Sequence, residues 1–586
     1  MNEIRLHFDF VGPNGTRNNV TFTHPNRIIT TRILSEVIPA LADVESALQS
    51  GYYAAGFVTY EAAGAFDPAL VTHPVGDTDL VWFGIFAEPC NTSAVVESRD
   101  ISLSEWQPDT CAVEYCAMVS DIREAIARGE TYQVNYTTRL RSHFCGSPAA
   151  FYKQVATACG ARYCALLETG SQTITSFSPE LFFYLRENKI VVRPMKGTTS
   201  RGRTPREDTT RAEMLRNSTK ERAENVMIVD LMRNDLGRVC LPGTIHVTKL
   251  FTPERYTTLW QLTSEVQGTL KPENHLKAVF KALFPCGSVT GAPKVRAMQT
   301  IAAMEKSPRG IYCGAIGFAA PNGDATFNVA IRTALFDNEN RSAVFGSGGG
   351  ITWGSSPRRE YEEMLLKTQV VQAPLWKADP LESMLLQEGE IALLHLHLDR
   401  FRRATTFFGI NVDQDHLHAR LCAVIAKHPT GRWKLRLSVS RTGAITLEAN
   451  AIAHLANQPW RAVISNQRVM SHDYRLYYKT TDRSMYGDLA RLHPGFDEVL
   501  MQNERGELTE FLIGNLVIES SGRLFTPPIS CGLLPGIMRE HLVRAGKLQE
   551  CIIYPHQLVS ATGIWLINSV RGRVPIKVCL NTDSTT

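Results

Sequence analysis

A chain of 586 residues exceeds what one hydrophobic core serves, and at ~150 residues per domain it allows up to about four domains. Lys and Arg number 62 against 58 Asp and Glu, a formal net charge of +4, which argues against a dedicated nucleic-acid binder. No run approaches ~18 apolar residues, the start MNEIRLHFDF does not read as a signal peptide, and thirteen dispersed cysteines without a CxxC pair read as reduced thiols, so the expectation is a cytoplasmic protein with no membrane span, disulfide framework or zinc site.

Helical and strand-like patterns alternate throughout, which predicts a mixed fold of the α/β (α+β) class. The clearest boundary is QAPLWKADP, where Pro374 and Pro380 bracket a connector that no helix crosses unbroken. This predicts a domain at 1–372, a linker at 373–380 and a second domain at 381–586. A weaker boundary at Asn457–Pro459 divides the latter into 381–456 and 460–586.

In chain order, STKERAENVMIVDLMRNDLGR (218–238) opens with Ser218 three residues before Glu221, a capping-box spacing that predicts a helix start. Glu221 and Glu224 then share a face. FPCGSVTGAPKVRAM (284–298) reads as a turn feeding a helix, with Pro293 suited to the first helical position. GSGGG (346–350) lets backbone N–H groups approach an anion, and alone it is also what a flexible turn looks like. Ser356-Pro357 then opens a second helix, with Glu360 and Glu363 on one face and Lys367 one turn on. Taken singly, each ExxE pair is more often a solvated helix face. Two such helices together offer the hard oxygen ligands that Mg²⁺ prefers.

The strings KERAENVMIVDLMRND, FPCGSVTGAPKVRAM, YCGAIGF, NVAIRTAL, GSGGGIT and EYEEMLLK, with GETYQVNYT (129–137) and SFSPELFF (176–183), occur in the order of the chorismate-utilising enzymes. Residues 50–370 resemble that family, which includes anthranilate synthase component I, aminodeoxychorismate synthase component I, isochorismate synthase and salicylate synthase. The resemblance implies a β-sandwich with flanking helices. It implies Mg²⁺ held by Glu224 and Glu363, with Glu221 and Glu360 acting through water. Chorismate carboxylates would meet the backbone of Gly348 and Gly350, Lys367, Arg332, Tyr312 and Ser288. VRPMKGTTSRG places Lys196 where anthranilate synthases carry alanine, which resembles aminodeoxychorismate synthase and implies that its amine attacks C2 before ammonia enters at C4. TLWQLTSEV departs from the anthranilate pattern, because Gln261 replaces a histidine and cannot shuttle a proton near pH 7. No glutaminase motif is present, so a separate glutamine amidotransferase subunit is expected to supply ammonia.

After the linker, LESMLLQEGEIALLHLHLDRFRRATTFFG (381–409), YYKTTDRSMY (477–486), GELTEFLIGNLVI (506–518) and LFTPPISCGLLPGIMRE (524–540) resemble fold-type IV pyridoxal-phosphate enzymes. The resemblance implies a two-subdomain fold and a homodimer through this domain. Lys479 would be the cofactor-bearing lysine and Arg400 a phosphate ligand. Glu510, with Asn515, would face the pyridine nitrogen. The backbone of Gly536, Ile537 and Met538 would hold the phosphate, and Ser569 of NSVRG would stand in for the hydroxyl lost at Met538. The motifs do not separate branched-chain aminotransferases, D-amino acid aminotransferases and 4-amino-4-deoxychorismate lyase, but a neighbour that makes aminodeoxychorismate points to the lyase. The expectation is a bifunctional enzyme making 4-aminobenzoate for folate. Two alternatives stay open: anthranilate synthase joined to an aminotransferase, or an active synthase with a non-catalytic C-terminal scaffold.

Overall fold

The computed structural model describes residues 4–12, 15–74, 76, 78–90, 101–202, 205–256, 259–372, 378–440, 442–453, 458–471 and 473–579. Residues 373–377 of the expected linker and Asn457 of the weaker boundary lie outside the described residues. The chain divides into two compact units, Met1–Arg201 with Arg211–Leu375, and Gly202–Thr210 with Trp376–Thr586. Both mix strands and helices, so the fold is α+β. Among the described residues no helix is long and apolar enough to cross a membrane.

The first unit is built on two ten-stranded sheets. Strand Arg5–Val11 shows how alternation builds the layer between them: Leu6, Phe8 and Phe10 are buried and the residues between them are not. They pack in one cluster with Ala55, Phe57 and Trp82 of the second sheet. Each fully buried side chain of this size contributes roughly 1.5–3 kcal/mol. The second sheet's other face is covered by helices, among them Val37–Gln49 and Thr219–Gly237. Thr219–Gly237 presents Ile228, Met232 and Leu236 inward at helical spacing, which turns its other side elsewhere.

The GSGGG segment is not a turn. It lies within strand Ser342–Ile351, paired antiparallel with Gln133–Gly146 from Ser342↔His143 to Ile351↔Val134. Glycine is required for space, since a Cβ on Gly348 would stand 2.2 Å from the Tyr136 carbonyl oxygen. Helix Lys294–Met304 likewise starts one residue later than expected, with Pro293 as its N-cap.

In the second unit, a four-stranded antiparallel sheet centres on Leu381–Gln387 and Arg432–Val439. Helices Leu394–Phe408 and Gln414–Lys427 close its apolar face through Phe401, Leu417 and Leu421. An eight-stranded mixed sheet follows. Strands Trp460–Val469, Glu498–Asn503, Leu508–Phe511, Asn515–Ser520, Gly563–Asn568 and Gly572–Cys579 form a closed ring, with Glu510↔Asn515 as its last pairing. Closure removes the exposed edges that an open sheet of this length would carry.

Candidate functional site

The first unit holds a cavity of about 150 Å³ whose lining includes Lys196, Ser288, Tyr312, Arg332 and Lys367, with the backbone of Gly348 and Gly350. Glu221, Glu224, Glu360 and Glu363 line it as well. The structure thus brings together every site residue expected in the N-terminal half. Ser218 caps helix Thr219–Gly237 by accepting from the Glu221 backbone N–H. The reciprocal half of the capping box is not made: the Glu221 carboxylate turns to the cavity, where a Cβ on Gly197 would lie 2.9 Å from its Oε2.

Lys196 leaves strand Met195–Ser200, and its Nζ reaches across the cavity toward Gly350. A Cβ on Gly350 would stand 2.6 Å from that nitrogen and 2.2 Å from Gln133 Nε2. Burial lowers the Lys196 pKa, helped by Lys367 and opposed by Glu224. Arg332 adopts a left-handed backbone, φ 51°, and lines the cavity. Such strain at a non-glycine residue is held by its surroundings and fixes where the guanidinium is presented.

Glu180, in SFSPELFF, was not foreseen as a functional residue. It is buried and lines the same cavity, and its Oε1 finds no hydrogen-bond partner among the described residues. Burial raises it to about 7, against the opposing effects of Ser288 and Lys196. A carboxyl that holds its proton near neutrality is a proton donor in waiting. Gln261 also lines the cavity, and its Oε1 too is buried without a hydrogen-bond partner among the described residues.

The four glutamates sit as two pairs on two helices. Glu363 pairs with Lys367 at 2.9 Å, and Glu224 accepts from the Thr352 hydroxyl at 3.2 Å. Among the described residues no three Asp, Glu, His or Cys side chains stand close enough to share an ion. The donors nevertheless suit Mg²⁺ in kind. Burial first raises both Glu221 and Glu360, with Glu224 adding to the rise at Glu221 and Glu363 at Glu360, while nearby lysines oppose it.

The second unit holds a cavity of about 450 Å³. Lys479, Arg400, Glu510, Asn515, Gly536, Ile537 and Ser569 all line it. Met538 is the exception: its side chain packs with Val517, Leu548 and Ile567. Burial first, and then Arg400, lower Lys479 to about 7, so its amine is half unprotonated at neutral pH. Burial raises Glu510 to about 8. Asn515 Nδ2 donates to Glu510 Oε2 at 3.0 Å and to the Leu534 carbonyl at 2.9 Å. A Cβ on Gly536 would meet Asn515 Oδ1 at 1.9 Å, so only glycine fits at this helix start.

Two further residues went unforeseen. Glu382 accepts from Arg400 Nε at 2.7 Å and Nη2 at 2.8 Å, and it meets His397 Nδ1 at 2.8 Å. Burial pushes Glu382 up, but attraction to Arg400 and the hydrogen bonds from His397 and Arg400 outweigh it and hold the carboxyl at about 2. Arg400 Nη1 donates to the Pro535 carbonyl at 3.1 Å, which fixes the guanidinium beside the Gly536 turn. His397 and Arg400 lie one turn apart on one helix, the only sequence signal for the trio. A half-buried lysine, an anchored arginine, a glycine-only helix start and a buried carboxyl lining one cavity suit pyridoxal phosphate.

Comparison with known proteins agrees with this division. A family model for chorismate binding enzyme matches residues 88–373, and one for amino-transferase class IV matches residues 381–579. Aminodeoxychorismate synthase of Streptomyces pristinaespiralis is 42% identical over 265 residues, which are 45% of this chain and 37% of that protein. Anthranilate synthase component 1 of Aquifex aeolicus is 36% identical over 276 residues, 47% of this chain and 56% of that protein. The chain thus spans about a third to a half of the length of these curated relatives. A crystal structure of anthranilate synthase component I from Streptococcus pneumoniae shares the fold, with a TM-score of 0.52 and 24% identity over 63% of this chain and 90% of that one. A class IV domain implies pyridoxal phosphate as cofactor. Residues 88–373 therefore match the chorismate binding enzyme family and residues 381–579 amino-transferase class IV, and the chain carries both matches in that order.

Proposed function

We propose that this chain makes 4-aminobenzoate from chorismate and ammonia in two steps, one in each domain. The observation that supports the reading most is the half-buried Lys196, whose amine is directed at Gly350 in a cavity that also holds Arg332 and the four glutamates. Anthranilate chemistry needs no amine there.

In the first domain, Glu221, Glu224, Glu360 and Glu363 would hold Mg²⁺, which polarises a bound carboxylate. Arg332 and Tyr312 orient the enolpyruvyl carboxylate, since a planar guanidinium matches a carboxylate in two hydrogen bonds. The unprotonated Lys196 amine forms a bond to C2, both conjugated ring double bonds shift, C1=C2 to C1=C6 and C5=C6 to C4=C5, and the C4–O bond breaks. Glu180 gives its proton to the departing hydroxyl, which leaves as water. Ammonia then bonds to C4, both ring double bonds return, and the C2–N bond breaks to release Lys196. The product is 4-amino-4-deoxychorismate. A glutamine amidotransferase partner delivers the ammonia, in keeping with relatives named as one component of a synthase.

In the second domain, pyridoxal phosphate, when bound, supplies an electron sink for the bond at C4. Arg400 and the turn at Gly536 would hold its phosphate, and Glu510 its ring nitrogen. Lys479, half unprotonated at neutral pH, takes the C4 proton, and pyruvate leaves from C3 as the ring aromatises.

The test is product identification. Purified protein given chorismate, Mg²⁺, pyridoxal phosphate and an ammonium salt is expected to release 4-aminobenzoate and pyruvate. Formation of 2-aminobenzoate would overturn the role given to Lys196. Absence of the cofactor's visible absorbance, or its persistence in Lys479→Ala, would favour a C-terminal scaffold.

A further inference from the structure

The second cavity carries more positive charge than its cofactor needs. Among the described residues, eight of its lining side chains are lysine or arginine, and Glu510 is its one carboxylate. Arg400 and Lys479 belong to the cofactor end. Lys434 and Arg436 come from one stretch of the lining, and Arg571 and Arg573 from another. On strand Arg432–Val439, Lys434 and Arg436 are exposed to the cavity side, while Leu435 and Leu437 between and beside them are buried in the sheet's apolar core. Ser383, the cross-strand partner of Arg436, lines the cavity as well, so this whole sheet face is cavity wall. From the other side, Arg573 projects opposite the buried Val574, and Arg571 stands in the preceding turn.

Among the described residues, little balances the charges of Lys434, Arg436, Arg571 and Arg573. Arg573 stacks on Trp565 at 3.5 Å and Arg571 on Trp460 at 5.2 Å, contacts that use the flat guanidinium face and not its N–H edge. Glu448 stands opposite Arg436 in the strand register, without an ion pair between them among the described residues. Glu498 faces Arg483 and Arg571, but burial raises it to about 7. Lys434 is lowered first by burial and then by Arg571, Arg436 and Arg483, as expected of mutually repelling cations.

We propose that Lys434, Arg436, Arg571 and Arg573 form a recognition rim that selects a ring bearing two carboxylates over substrates bearing one. The assignment rests on the reading of this domain as the one that cleaves 4-amino-4-deoxychorismate, a dicarboxylate. An ordinary amino acid brings a single carboxylate beside its own ammonium and leaves most of this charge unmet. A ring dicarboxylate offers each strand face an anion, and arginine's N–H fork binds it in two hydrogen bonds.

The probe pair is benzene-1,3-dicarboxylate against benzoate, titrated into the holoenzyme while the visible absorbance of the bound cofactor is followed. That signal reports the second cavity alone. The dicarboxylate is expected to half-saturate at a concentration about tenfold or more below benzoate. The preference should shrink to under about threefold in Lys434→Met/Arg436→Met and in Arg571→Met/Arg573→Met, and with rising salt in the wild type. Equal affinity in the wild type, or a preference that survives in both double variants with their cofactor absorbance intact, overturns the rim. The outcome separates from that of the cleavage reaction. A dicarboxylate preference without pyruvate release supports the rim and overturns cleavage, whereas pyruvate release without the preference does the reverse.

Discussion

The Lys196 amine and Gly350 are matched: the nitrogen occupies space that any side chain at 350 would take, 2.6 Å from where a Cβ would stand. Gly350→Ala is therefore expected to displace the amine, and Gln133 with it. A shift of about 1 Å at a reacting atom costs ~10²-fold in rate. Aminodeoxychorismate formation should fall by about that factor, while cleavage of supplied aminodeoxychorismate continues. Parallel assays of the two half-reactions check this.

Lys196→Ala removes the amine outright. The first half-reaction should drop by at least ~10²-fold, with cleavage of supplied intermediate unaffected. Loss of both steps in a protein whose circular dichroism is unchanged would contradict two separate sites.

Glu180→Gln tests the proton donor. Donation needs the protonated form, which predominates below about pH 7 and is lost above it. The wild-type rate of the first half-reaction should carry a falling limb near pH 7, and the glutamine variant should lose both that limb and ~10²- to 10⁴-fold in rate. A variant that keeps the limb assigns it to another group.

The Arg400–Glu382–His397 trio predicts an effect on stability. Glu382→Ala leaves a buried guanidinium without its carboxylate, a change that costs about 3–5 kcal/mol. The Glu382 carboxyl is held below its ordinary value, at about 2, so its contribution is present above about pH 4.5 and lost as pH falls toward 2. Urea unfolding of the second unit from pH 6 down to pH 3 should show a loss in the wild type that Glu382→Ala lacks.

Much of this was legible in residue order, and the rest for definite reasons was not. Ser218 and Ser356-Pro357 mark helix starts by local spacing, and both helices begin there. Local spacing also put Glu221 with Glu224, and Glu360 with Glu363. Glu180 has no such signature. It lies between strands Gln172–Ser178 and Leu181–Arg186, and its raised pKa comes from burial by distant parts of the chain, which no local spacing records. Glu382 was hidden for the same reason, since its partners are 15 and 18 residues away on a helix. GSGGG did not reveal its element, because a glycine strand and a glycine turn share a composition and only the pairing with Gln133–Gly146 distinguishes them.

Glu510→Gln bears on the empty and loaded forms differently. Burial raises the carboxyl to about 8, so without cofactor its contribution is fully present below about pH 4.5 and is lost as pH rises through 8. Melting of the apoprotein should weaken across that window, and the variant should not share the trend. The variant should also bind pyridoxal phosphate less tightly above pH 7, read by dialysis and absorbance.

Glu510 and Asn515 form the pairing that completes the ring of strands in the second unit. The two residues that close the ring thus also line the second cavity. Drift at either position loosens architecture and chemistry at once, so a descendant of this domain that abandons catalysis loses the stitch that keeps the cylinder shut, and idle copies should unravel sooner than they specialise.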